Sequence, residues 1–93
     1  MSFRLAPGVA SRIFSAGEYA SLQELNPLSL ERQQVKIVDI SKNGVGILAP
    51  TQLFPGTIVQ IRIKNAVELG EVRHCSAVGN GGYRIGLRFH TRF

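Results

Sequence analysis

QVKIVDISKNGVGILA, residues Gln34 to Ala49, is the stretch that decides the fold. Gln34 to Ile40 is dense in β-branched side chains, which suit a pleated, half-buried surface, so it reads as a strand. Ser41-Lys42-Asn43-Gly44 is turn chemistry, and Asn-Gly is the strongest short-range signal for a hairpin. Val45 to Ala49 returns as the second strand.

Downstream the same grammar repeats. Pro50 to Gly56 is a loop ending in a Pro-Gly step. Thr57 to Lys64 alternates, with Val59, Ile61 and Ile63 on one face and Gln60, Arg62 and Lys64 on the other. That period of two marks a half-buried strand. Asn65 is expected to turn, and Val67 to Ala77 to form another strand, with a bulge or bend at Gly70. Val78 to Gly82 is a glycine-rich loop. Tyr83 to Phe89 alternates again, with Tyr83, Ile85, Leu87 and Phe89 inward and Arg84, Gly86 and Arg88 outward.

Upstream the pattern changes. In Ser15 to Asn26, SAGEYASLQELN, Ser15 followed by Glu18 is a capping-box spacing, and Tyr19, Leu22 and Leu25 recur at helical intervals. These signals predict a short helix over about 15–26, stopped by Asn26-Pro27. The expected organisation is one structural domain: an N-terminal segment, 1–33, carrying the helix, and a barrel over 34–93. The fold class is mainly β, a small antiparallel barrel of the six-stranded type, because closure removes exposed sheet edges in a chain this short.

The chain has 93 residues, with 11 Lys plus Arg against 6 Asp plus Glu and a formal net charge of +5. Eight of the basic residues are Arg, whose planar fork suits phosphates and guanine edges. An anionic partner is the natural expectation. Cys75 is the single cysteine, which excludes an internal disulfide and a cysteine-based metal site and fits a reducing interior. It is expected as a small core residue. No apolar run approaches the roughly 20 residues that span a bilayer, and Met1 to Phe14 lacks a signal-like apolar segment. No membrane insertion and a cytoplasmic location are therefore expected.

The run from Lys36 to Gly44 resembles the D/N-x-S-x-x-G signature of the PilZ family, with Asp39, Ser41 and Gly44 in the three fixed places. Its surroundings are similar to the family as well. Leu53-Phe54-Pro55-Gly56-Thr57-Ile58-Val59 resembles the step into the next strand. Gly70 to Cys75 looks like the strand after it, and Gly82 to Phe89 like the closing strand. The resemblance covers residues 34 to 90. It implies a bacterial receptor for cyclic di-GMP, a signalling module rather than an enzyme. It also implies an R-x-x-x-R pair before the first barrel strand, and here the chain departs from the family. Arg4 is followed four residues on by Gly8, Arg12 by Ala16, and Arg32 by Lys36.

Cyclic di-GMP would meet Asp39 as an acceptor for guanine N–H groups, Ser41 as a hydroxyl partner, and Gly44 where backbone must come close or take a positive φ. The same residues could equally serve the turn itself through Asx or Ser bonds. Arg4 and Arg12 are the first candidates for the missing arginines, ahead of Arg32, Lys36, Arg84 and Arg88. The alternative is a degenerate PilZ-like adaptor that binds a protein partner and not the nucleotide. DNA or RNA binding is not expected, because Tyr83 and Phe89 fall on the core face and leave no stacking platform. No carboxylate pair, catalytic triad order or metal-ligand spacing stands out, so no catalytic residue, metal or cofactor is expected.

Overall fold

In the computed structural model the described residues are 14–26, 28–64 and 66–90. They form six strands: β1 Tyr19–Asn26, β2 Leu28–Ile40, β3 Gly44–Ala49, β4 Ile58–Ile63, β5 Ala66–Ala77 and β6 Tyr83–Phe89. Every neighbouring pair is antiparallel, and the order β1-β2-β3-β6-β5-β4 closes on itself through β1 and β4.

The alternating side chains fill the interior. Leu22, Val35, Ile37, Ile47, Val59, Ile61, Val72 and Ile85 are all at most 1% exposed. Each such side chain contributes about 1.5–3 kcal/mol relative to leaving it in water. Ile85, Leu87 and Phe89 point inward as their spacing predicts, with Tyr83 half-buried beside them. Cys75 is half-buried and packs against the core.

The helix expected over 15–26 is not there. Its place is taken by a turn followed by β1, the strand that closes the barrel. The capping-box contact does form: the Ser15 amide donates to the Glu18 carboxylate at 3.0 Å. However, the Glu18 amide donates back to the Ser15 carbonyl at 3.2 Å, so the pair closes a four-residue turn. Gly17 sits at φ 92, which no helix accommodates and which a turn with glycine at its third position requires. The apolar stripe divides accordingly. Leu22 is buried in the barrel, Leu25 is half-buried, and Tyr19 is 58% exposed. The barrel thus begins at Tyr19, not at residue 34, and Ser29 to Gln33 form part of β2.

The bulge expected at Gly70 is displaced too. Register runs through Gly70 without interruption, opposite Val59 on one side and Phe89 on the other. The shift falls three residues later, between Val72 and His74. The turn expected at Asn65 lies outside the described residues.

Candidate functional site

Two β-bulges build the site. On β2, alternation from Val35 and Ile37 would carry Asp39 into the core. Between Ile37 and Asp39 the register against β3 slips by one residue. The slip turns Asp39 outward, with its side chain 65% exposed, and lets Ile40 pack on the core instead. A bulge is a standard device for re-aiming a side chain. On β5 the slip between Val72 and His74 leaves Arg73 and His74 both on the outside and returns Cys75 to the core side.

The two bulged strands flank β3 and β6, and the four together frame a recess of about 420 Å³. Asp39 enters it from β2, Ser41 from the β2–β3 turn, Gly44 from the start of β3, Arg73 and His74 from β5, and Arg84 and Arg88 from β6. Arg84 donates to Asp39 at 3.4 Å, across the floor formed by Gly46. Both side chains keep enough exposure to meet a ligand.

Ser41 and Asp39 divide the roles that the sequence left open. The Ser41 amide and hydroxyl both donate to the Gly44 carbonyl, at 3.0 and 3.3 Å, so Ser41 serves the turn. Asp39 makes no turn bond among the described residues; its partner is Arg84. Gly44 is not in the positive-φ region, contrary to one of the two reasons offered for it. It is needed for close approach, because a Cβ there would run into the backbone carbonyl of Leu87. Gly86 accommodates a neighbour in the same way: the His74 imidazole lies on it where a Cβ would stand.

The other sequence candidates separate. Arg84 and Arg88, ranked behind the N-terminal arginines, lie in the recess with Asp39. Arg32 lies elsewhere, opposite Gln23 and hydrogen-bonded to it at 3.5 Å, and Lys36 stands opposite Tyr19. Neither lines the Asp39 recess. Arg4 and Arg12 lie outside the described residues. Asn43, Arg73 and His74 were not singled out as site residues, and all three line the recess. For Arg73 and His74 the signal was a break in alternation at Val72-Arg73-His74-Cys75, readable only once the partner strand is known; Asn43 belongs to the turn that the Asn-Gly step marks. His90 stays apart from His74, facing Glu71 at 3.8 Å in an adjoining recess that also contains Arg73 and Arg88.

Among the described residues no group of three or more His, Cys, Asp or Glu could hold a metal ion. No helix among them is long and apolar enough to cross a membrane.

The PilZ domain model matches residues 19–92. The chain belongs to the PilZ family, and the match begins at the strand first read as a helix. No curated protein and no solved structure matches it.

Proposed function

We propose that the chain is a cyclic di-GMP receptor module, with the recess around Asp39 and Arg84 as its ligand site. The observation that carries this reading is the Asp39–Arg84 contact at 3.4 Å beside Gly44 and Gly46. It supplies an acceptor and a fork of donors side by side. A guanine offers the complementary set: N–H donors on one edge, and O6 and N7 acceptors on the edge that an arginine reads bidentately. Arg73 and Arg88 add positive charge for the phosphates, and His74 adds a ring nitrogen.

Arg84 and Arg88 then supply part of what the missing R-x-x-x-R pair would. Arg12 or Arg4 supplies the remainder. The segment that carries them joins the barrel at Phe14, which is buried and stacked on Phe89, the neighbour of Arg88. Binding would draw that segment over the recess and present a new surface to a protein partner. The module works by binding and not by catalysis, and it acts in the cytoplasm.

A calorimetric titration tests this directly. Cyclic di-GMP is expected to saturate at micromolar or lower concentration while GTP does not. Absence of heat at high ligand, with no gain in melting temperature, would leave the second reading. That reading is a PilZ-like adaptor that binds protein alone. It is favoured by the incomplete arginine pair and by Leu28 and Leu30, which are 67% and 88% exposed on β2, beside the β1–β2 connection.

A further inference from the structure

The outer face of β2, β1 and β4 carries a second feature, separate from the Asp39 recess. Ala20 and Leu22 point inward, so Tyr19, Ser21 and the glutamine after Leu22 point out. In register, Lys36 stands opposite Tyr19, Arg62 opposite Ser21, and Arg32 opposite Gln23. Lys64 follows at the end of β4. Tyr19, Arg32, Arg62 and Lys64 line one shallow groove of about 350 Å³. The result is an outer barrel face with four cations and one exposed aromatic ring. The acid beside it is Glu18, already paired with Lys64 at 3.3 Å. Glu24 and Glu31 line an adjoining recess that shares Arg32 and Gln33 with the groove, so the acids gather at the Arg32 end and leave Lys36 and Arg62 as the cations beside Tyr19 and Ser21.

We propose that this face binds single-stranded nucleic acid. Cations that track a phosphate backbone, together with an exposed ring on which a base stacks, are the two parts such a surface needs. A duplex hides its base faces, so Tyr19 favours a single strand. An acidic protein would be a poorer fit, because the centre of a protein interface is depleted in charge and rich in apolar side chains. Among the described residues Tyr19 is the one aromatic ring on this face, set among cations, glutamines and Ser21; the exposed apolar side chains lie at its margins, Leu28 and Leu30 beyond Arg32 on β2 and Val67 beside Arg62 on β5. Phe89 is buried and Tyr83 half-buried against the core, so neither offers the stacking platform whose absence speaks against nucleic acid; Tyr19 is exposed. Its position on β1 supplies one.

The test is fluorescence anisotropy of labelled oligothymidylate and oligouridylate of about twelve nucleotides, within the usual site size. The full 93-residue chain is titrated at about 50 and 200 mM salt. Saturable binding that weakens with salt is expected. Tyr19→Ala should weaken it about five-fold or more, and Tyr19→Phe should restore it. Lys36→Ala and Arg62→Ala should each lower the salt slope by about one. Circular dichroism checks that each variant folds. Asp39→Ala should leave oligonucleotide affinity unchanged, which separates this face from the recess. Absence of saturation, indifference to Tyr19→Ala, or loss in Asp39→Ala would overturn the proposal. Competition by polyglutamate as effective as by oligonucleotide would overturn it as well and assign the face to an acidic protein.

Discussion

The Asp39 carboxylate and the Arg84 guanidinium, 45 residues apart in sequence, meet at 3.4 Å on the barrel surface because a one-residue slip in β2 turns Asp39 out of the core. Without the slip, Asp39 would be an unpaired charge among Ile37, Ile47 and Ile85. The pair holds a carboxylate and a guanidinium in fixed relation while leaving both open to solvent.

That exposure separates stability from binding. Asp39 and Arg84 are 65% and 46% exposed, and exposed ion pairs contribute only about 0–1 kcal/mol. Arg84→Ala should therefore shift the melting temperature by less than about 5 °C. The same substitution should weaken cyclic di-GMP binding about ten-fold or more, on the scale of a lost bidentate guanine contact. Thermal melting and calorimetry on one preparation read both quantities.

Two glycines in the recess should respond differently to alanine. At Gly44 a methyl group would strike the backbone carbonyl of Leu87, which can move only by shifting β6. Gly44→Ala should destabilise the barrel by about 1–3 kcal/mol or more, measured by urea unfolding. At Gly86 the obstacle is the His74 imidazole, the end of an exposed side chain that can swing away. Gly86→Ala should cost much less stability while displacing His74, visible as a change in its ring proton shifts.

Phe14 ties the N-terminal segment to the barrel. It is 1% exposed, with its ring centroid 5.2 Å from that of Phe89. Phe14→Ala should cost about 3–5 kcal/mol in chemical denaturation. Where the variant remains folded, it should also bind cyclic di-GMP more weakly than wild type, since the segment bearing Arg4 and Arg12 loses its anchor. Phe14→Leu, which keeps most of the apolar volume, should recover most of both.

Glu18 gives a pH signature. Its hydrogen bond to Lys64 is the largest cause holding its carboxyl below the ordinary 4.5, with the Lys64 charge and Ser15 adding to it against some desolvation. A carboxyl with a depressed folded-state pKa stabilises the fold above its unfolded value, and that contribution is lost as pH falls through the folded value. The melting-temperature difference between wild type and Glu18→Gln should be small and constant from neutral pH down to near 4.5, then close at lower pH.

The strand-rich half of the chain was legible because its signals are local. Val59-Gln60-Ile61-Arg62-Ile63 and Ile85-Gly86-Leu87-Arg88-Phe89 alternate without interruption, and burial follows the alternation residue by residue. β1 was not legible because only Ala20 and Leu22 carry its inward pattern, while Tyr19, Leu22 and Leu25 mimic a helical stripe. The same Ser15–Glu18 contact closes a turn as readily as it caps a helix, and Gly17 decides between them. Asp39, Ser41 and Gly44 were readable as a motif. The company they keep was not, since Arg73, His74, Arg84 and Arg88 join them through long-range pairing and two bulges that local sequence does not position.

The measurement that tests the central claim most directly is a ¹H–¹⁵N correlation titration of the labelled protein with cyclic di-GMP. Saturating shifts should concentrate at the amides of Asp39 to Gly46, at His74, and at Arg84 to Arg88, while Ser21 and Arg62 stay still. A spectrum unchanged at high ligand, or shifts centred away from the Asp39–Arg84 pair, would contradict it.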